Sequence, residues 1–338
     1  MAILTIITIC ILAILFEFES HRERQMLQTD TYSFSKSGLK KPLRFVFLSD
    51  LHEKEFGPDN EELFTRIAML HPDFILLGGD LIICRKESGS LQRLKKALHF
   101  GDTEDHVEHT VKFLRKLKEQ YRVYCGIGNH ELRLLQKAGF SNYRELCTYA
   151  KSVYNRSFEV CTDQEHAAEE TSARAKLLEL YEALDGITVL DNASIRHGEL
   201  LLTGITLPMT AYKKLLFRKK EILPESLFQT REMTEDTGAG YRIAMVHNPI
   251  YAREALHHGQ ELVLSGHVHG GTIRLPWIGA LMTPQMMFFF RECAGCFSDR
   301  NGYFLVNRGL GTHSINIRWN DLPEISLILL EPTENDKT

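Results

Sequence analysis

The chain alternates short apolar runs with longer stretches whose apolar residues recur every three or four positions. RFVFLSD (44–50), FILLGGD (74–80), YRVYCGIGN (121–129), YRIAMVHN (241–248) and ELVLSGH (261–267) each read as a buried strand ending in a polar or glycine-bearing turn. Between them EELFTRIAML and HTVKFLRKLKEQ have helical spacing, which predicts α/β order. ITVLDNASIRHGELLLTGITL holds three short runs parted by Asp-Asn and His-Gly turns, and YFLVNRGLG and EISLILLEP add two more. Turns this close predict antiparallel pairing. The simplest arrangement is two sheets packed face to face with helices outside.

The N-terminus differs in kind. Ala2 to Phe16 carries no charge and the apolar character reaches Phe18, so residues 1–18 predict a transmembrane anchor or signal-like helix. A basic n-region and a small-residue cleavage site are not visible, which favours a retained single-pass anchor over a cleaved export signal. Arg22, Arg24, Lys36, Lys40 and Lys41 follow the run and no basic side chain precedes it; the positive-inside rule then favours the cytoplasmic face for the globular part. Residues 19–42 are polar and read as an irregular linker, 43–331 as one domain and 332–338 as a polar tail. No repeat period is present.

Composition narrows the partners. A net charge of -4 supplies no basic field for a nucleic-acid backbone, so no nucleic acid is expected. Seven cysteines, one inside the apolar helix, do not form a disulfide framework.

Every predicted core strand delivers polar side chains to its carboxyl end, where open α/β sheets build their sites: Asp50 and His52, Asp80, then Asn129, His130 and Glu131, His247, and finally His267 and His269. Oxygen and imidazole donors without a thiolate suit Mn, Fe, Zn, Co or Ni. Asp50, His52, Asp80, Asn129, His247, His267 and His269 are too many for one tetrahedral ion. They suffice for two divalent metal ions sharing a carboxylate. In extended backbone, residues two apart point the same way, which pairs Asp50 with His52 and His267 with His269. Glycines at 266, 270 and 271 allow a tight turn beside them.

DLH, GGD, GNHE, a lone His after a strand, and GHVHGG occur in that order, and through them residues 43 to 320 resemble the calcineurin-like metallophosphoesterase superfamily. GGTIRLPWIGAL and NRGLGT are similar to its membrane-anchored bacterial phosphodiesterase branch. The resemblance implies the metallophosphatase fold, a four-layer αββα sandwich of two mixed sheets flanked by helices. It implies one ion on Asp50, His52, Asp80 and His269, a second on Asp80, Asn129, His247 and His267, and a catalytic His130 near the leaving group. The implied reaction is hydrolysis of a phosphodiester or pyrophosphate, with a membrane lipid headgroup as a suggested substrate, by attack of a metal-held hydroxide without a phosphoenzyme. Two divalent cations outweigh Asp50, Asp80 and a hydroxide, so such a cluster attracts an anionic ester.

Some positions depart from this pattern. Relatives often carry Asp three residues after the bridging Asp, where it orients the His of GNH; here Ile83 stands there, leaving Glu131 or Arg85 to compensate. Thr272 stands where the anchored branch usually has Gln. Ile83 is the one encouragement for an alternative, a non-catalytic metal-binding scaffold or sensor on the same fold. Cys293 and Cys296 form a lone CxxC with no second pair, a redox or zinc module only if a partner exists elsewhere. The basic run Lys213 to Lys220 reads as a solvated helix face, or as a grip on anionic lipid; MMFFF (286–290) reads as core, or as a wall for a lipid tail. His106, His109, His257 and His258 are strays.

Overall fold

The computed structural model describes residues 1–36, 39–84, 106–154, 166–216, 218–229, 240–312 and 316–333. In chain order its strands are β1 (Gln28–Lys36), β2 (Leu43–Leu48), β3 (Phe74–Leu77), β4 (Val123–Cys125), β5 (Thr188–Val189), β6 (Ala193–His197), β7 (Leu200–Ile205), β8 (Tyr241–Val246), β9 (Leu262–Ser265), β10 (Arg274–Leu275), β11 (Gly279–Met282), β12 (Phe288–Phe290), β13 (Gly295–Asp299), β14 (Gly302–Val306) and β15 (Glu324–Pro332). Its helices are α1 (Ala2–Glu23), α2 (Glu61–Met69), α3 (Val107–Gln120), α4 (Asn129–Lys137), α5 (Tyr143–Tyr154), α6 (His166–Leu184) and α7 (Ala252–His257).

Strict alternation along the strands creates the layers. In β2, Phe45 and Phe47 face one way and Val46 and Leu48 the other; β3 splits Phe74 and Leu76 from Ile75 and Leu77 in the same manner. The first set meets Leu202, Ile243, Met245, Leu262 and Leu264 of the second sheet, forming the central core. The second set packs under α2, α3 and α6. On the far side Ala244, Val246 and Val263 pack against Ala252, Ala255 and Leu256 of α7. Two mixed six-stranded sheets, ordered β1-β15-β2-β3-β4-β5 and β13-β14-β9-β8-β7-β6, are thus flanked by helices, the expected αββα sandwich. A third, three-stranded sheet, β10-β11-β12, lies beyond the motifs.

Close turns misled at one place. The His-Gly turn does join β6 and β7 antiparallel, but β5 pairs parallel with β4, so the Asp191-Asn192 turn carries the chain from one sheet to the other. A two-residue strand is too short to show which sheet will take it.

The reading of 19–42 as an irregular linker is corrected. The helix α1 runs on to Glu23, and residues 28–36 form β1, parallel to β15 from Gln28↔Glu324 to Lys36↔Pro332. QTDTYSFSK has the β-branched and aromatic content of an edge strand without a run of aliphatics. The end of α1 is docked. Ser20 Oγ accepts from Arg318 N at 3.1 Å, the Glu23 carboxylate accepts from Asn320 N and Asp321 N at 3.0 and 3.1 Å, and Phe16 stacks on Trp319 at 4.7 Å. Ahead of this joint α1 is exposed, and it is long and apolar enough to cross a membrane, fitting an anchor.

Candidate active site

The predicted residues converge. Asp50, His52 and His269 bring one ligand atom each within 4.8 Å of one another, as do His52, Asp80 and His130, and likewise Asp80, His247 and His267. All are buried, although they come from both sheets. Asp50 Oδ1 lies 3.4 Å from His269 Nε2 and 3.8 Å from His247 Nε2, while Asp80 Oδ2 lies 3.1 Å from His247 Nε2 and 3.9 Å from His52 Nε2. Asn129 stands against Asp80 and His267: with its nitrogen turned inward it donates to Asp80 Oδ2 at 3.3 Å and His267 Nδ1 at 2.9 Å.

The backbone reaches this geometry by turning sharply. Asp50, His52, Asp80, His267 and His269 all have φ between 48° and 66°, the left-handed region that L-residues avoid. Alternation in an extended segment is therefore not what pairs Asp50 with His52, or His267 with His269; successive left-handed turns do so. Strain of this kind persists where surrounding contacts over-determine it. Here they do: His267 N donates to both oxygens of Asp50 at 3.1 and 2.9 Å, Ser49 Oγ to Asp50 Oδ2 at 2.6 Å, and His130 N to Asp80 Oδ1 at 2.7 Å. A side chain at Gly266 would collide with Asp50 Oδ2, and one at Gly128 with Asp80 Oδ1.

Outer contacts fix the imidazoles. Nδ1 of His52 faces Ile82 O at 3.3 Å, that of His247 faces Gly78 O at 2.9 Å, and that of His269 faces Gly311 O at 3.2 Å. Each carbonyl can only accept, so each Nδ1 carries the hydrogen and each Nε2 aims inward, as metal-binding histidines are held. Nε2 of His52 and of His269 then stand 3.2 Å apart, a distance at which two lone pairs need a proton or a cation between them. Nε2 of His247 meets only Asp80 Oδ2, and Nε2 of His267 is buried with no hydrogen-bond partner. The donor set fits divalent metal ions.

Electrostatics agree. Burial pushes the Asp50 carboxyl up, but the facing His269 and His247 rings outweigh it and hold it far below the usual range; Asp80 is lowered against burial by His247 and His130. Burial lowers His267 to about 3 and His269 to about 4, so both are neutral. In His247 burial is overcome by the Asp80 and Asp50 charges, which raise it to about 10.

His130 is held differently. Its Nδ1 accepts the backbone N–H of Cys84 at 2.7 Å, and burial lowers it to about 3, so the ring is neutral with its hydrogen on Nε2. A main-chain donor thus orients the ring, with the opposite hydrogen-bond polarity to a carboxylate at position 83. Glu131 does another job: its carboxylate accepts from Gly128 N, Asp80 N and Leu81 N at 3.0, 2.8 and 2.7 Å, locking two motif turns together. Arg85 lies outside the described residues.

Sequence reasoning missed two residues. The Tyr212 ring packs 5.0 Å from that of His267 and 6.0 Å from that of His247. Arg318, 1% exposed, donates to Arg308 O, Gly309 O and Gly311 O at 3.0, 3.0 and 2.9 Å, bracing the NRGLG turn under His269. A lone Tyr and a lone Arg carry no spacing signal. Cys293 is buried and Cys296 exposed, both are free thiols, and burial raises both, the reverse of a reactive pair.

Fold and site together define a metallophosphoesterase. The sequence model of the calcineurin-like phosphoesterase family matches residues 43–271, and the chain belongs to that family: it is a metal-dependent hydrolase of phosphoric esters. It is 24% identical to the uncharacterized metallophosphoesterase YkuE of Bacillus subtilis, over 94% of this chain and 90% of the relative. It is 25% identical to the UDP-2,3-diacylglucosamine pyrophosphatase LpxG of Chlamydia trachomatis (86% and 84%) and 24% identical to the phosphodiesterase YaeI of Escherichia coli (86% and 82%).

Proposed function

We propose that the chain is a binuclear phosphodiesterase or pyrophosphatase acting at a membrane, on the cytoplasmic side that its basic residues after α1 favour. The observation that carries this reading is the shared position of Asp80, between the His52 side of the cluster and the His247 and His267 side. Asp50, His52, Asp80 and His269 would hold one ion, and Asp80, Asn129, His247 and His267 the other, with the Asn129 amide turned to offer its oxygen. Divalent ions supply, when bound, the charge that makes water a nucleophile near neutral pH and offsets the phosphoryl oxygens.

The chain's own side chains do the rest. Asp50 and Asp80, fixed by main-chain donors, keep the ligand geometry without rearrangement. His130, neutral and protonated on Nε2, would hydrogen-bond toward the departing oxygen and stabilise its charge while keeping that hydrogen, the oxygen taking its proton from water. Attack in line with that oxygen needs no phosphoenzyme. A pyrophosphatase of a diacylated sugar nucleotide among the relatives, and an apolar α1, support a lipid-linked substrate.

Purified full-length protein in detergent should bind two divalent ions per chain and cleave an aryl phosphodiester only when they are present. A rate unchanged by chelation would overturn the reading, and a single bound ion would overturn its binuclear part.

A further inference from the structure

The three-stranded sheet carries what a water-facing surface avoids. Trp277, at the tip of the β10–β11 hairpin, is 95% exposed; Ile278, Phe288 and Phe289 are exposed as well. Four large apolar side chains within one small sheet form a patch that marks an interaction site.

Basic residues flank this patch. Leu215 N donates to Gln285 O at 2.7 Å, and Gln285 Nε2 donates to Lys213 O at 3.0 Å, so the run from Lys213 lies against the turn leading into β12. Lys213, Lys214, Arg218 and Lys219 are exposed and have no acidic partner among the described residues; Phe217, within the run, lies outside them. On the other flank Arg274 and Arg291 border a cavity of about 530 Å³ together with Trp277 and Asn320.

Position gives the patch its meaning. Trp319, stacked on Phe16 of α1, also donates from its N–H to Thr272 O at 3.0 Å and accepts from Arg274 N at 2.9 Å. The sheet is thereby fastened to α1 at Phe16, where the apolar stretch gives way to Glu17 and Glu19. From Arg274 to Trp277 is three residues, ~10 Å at strand rise, so the hairpin tip stands close to the level at which α1 would leave a bilayer. Exposed Trp beside Lys and Arg is the composition of a membrane–water boundary.

We propose that this face, the β10–β12 sheet with Lys213, Lys214, Arg218 and Lys219, docks on an anionic phospholipid surface beside α1. Trp277, Ile278, Phe288 and Phe289 enter the headgroup boundary, and the flanking cations meet lipid phosphates. Tyr212, one residue before the run, packs on His267, so docking sets the rim of the metal site against the lipid. The consequence for substrate, a phosphoester carried in the bilayer, rests on the proposed function; the contact itself does not.

The chain's two tryptophans, Trp277 and Trp319, supply the test. Full-length Trp319→Phe, which keeps a ring against Phe16, is reconstituted in vesicles of phosphatidylcholine with or without phosphatidylglycerol. Trp277 emission should shift to the blue and be quenched by shallow spin-labelled lipid rather than by aqueous iodide. That quenching should fall in the Lys213→Gln/Lys214→Gln/Lys219→Gln variant, and with salt as the Debye length shrinks to ~3 Å at 1 M. If Trp319→Phe fails to fold, the difference between wild type and Trp277→Phe gives the same readout. Iodide quenching without lipid quenching overturns the proposal, and so does protection from both, which would mean that protein covers the patch. Hydrolysis of a soluble diester, measured in parallel, scores the enzymatic reading separately.

Discussion

Nε2 of His52 and Nε2 of His269 face each other across 3.2 Å, although 217 positions separate the two residues in the chain. A pair so placed is a cation site in waiting, and its loss should be selective. His52→Ala and His269→Ala should each lower bound metal by about one ion per chain and the rate by ~100-fold or more. Metal analysis of the purified variants, beside the rate, checks this; full occupancy in both variants would refute the assignment.

His130 should separate chemistry from binding. His130→Ala is expected to keep its metal while losing ~10²- to 10⁴-fold in rate, most for esters with poor leaving groups. Cys84→Ala should behave as wild type, because the backbone N–H is what His130 uses, whereas Cys84→Pro removes that donor and should approach His130→Ala. Undiminished turnover in His130→Ala would dismiss the catalytic role.

The metal-free protein should be most stable near the ordinary histidine pKa. His130 and His267 are lowered to about 3 and His269 to about 4. Below ~6.5 the unfolded chain therefore takes up protons that these folded rings refuse, and stability falls as pH drops from there toward 4. His247, raised to about 10, contributes stability that is full below ~6.5 and fades as pH rises through 10. Denaturant midpoints of chelated protein across pH 4 to 10 check both limbs, and a flat profile would contradict them.

Arg318 should be needed for more than local stability. Removing a buried guanidinium that serves three carbonyls and Asp321 should cost ~3–5 kcal/mol. Because Gly311 O also orients His269, Arg318→Met should lose metal affinity as well. Thermal melts with and without metal check this: the metal-induced rise in melting temperature should shrink relative to wild type.

Much of the site was legible because each piece is local. Asp50 and His52, Asp80, Asn129 and His130, His247, and His267 and His269 each sit within a few residues of a strand whose apolar run is plain in the sequence. The layers followed from alternation in strands such as 44–48. What escaped depends on distant partners or on the main chain. β1 is a strand because β15, almost three hundred residues later, lies beside it. The Cys84 N–H that orients His130 is a backbone group, and no residue identity announces it. Left-handed turns at Asp50 and His269 do the work that extended spacing seemed sufficient to explain, since both arrangements can place the two side chains together.

The position of β15 bears on how the chain is made. This last strand lies between β1 and β2, parallel to one and antiparallel to the other. Until β15 has left the ribosome, β1 has no partner in the first sheet and β2 presents an unpaired edge. An amino-terminal helix that had by then met the membrane would hold the two strands tethered, with those edges exposed. A nascent chain stalled before residue 324 should therefore be protease-sensitive in β1 and β2 and dependent on chaperones.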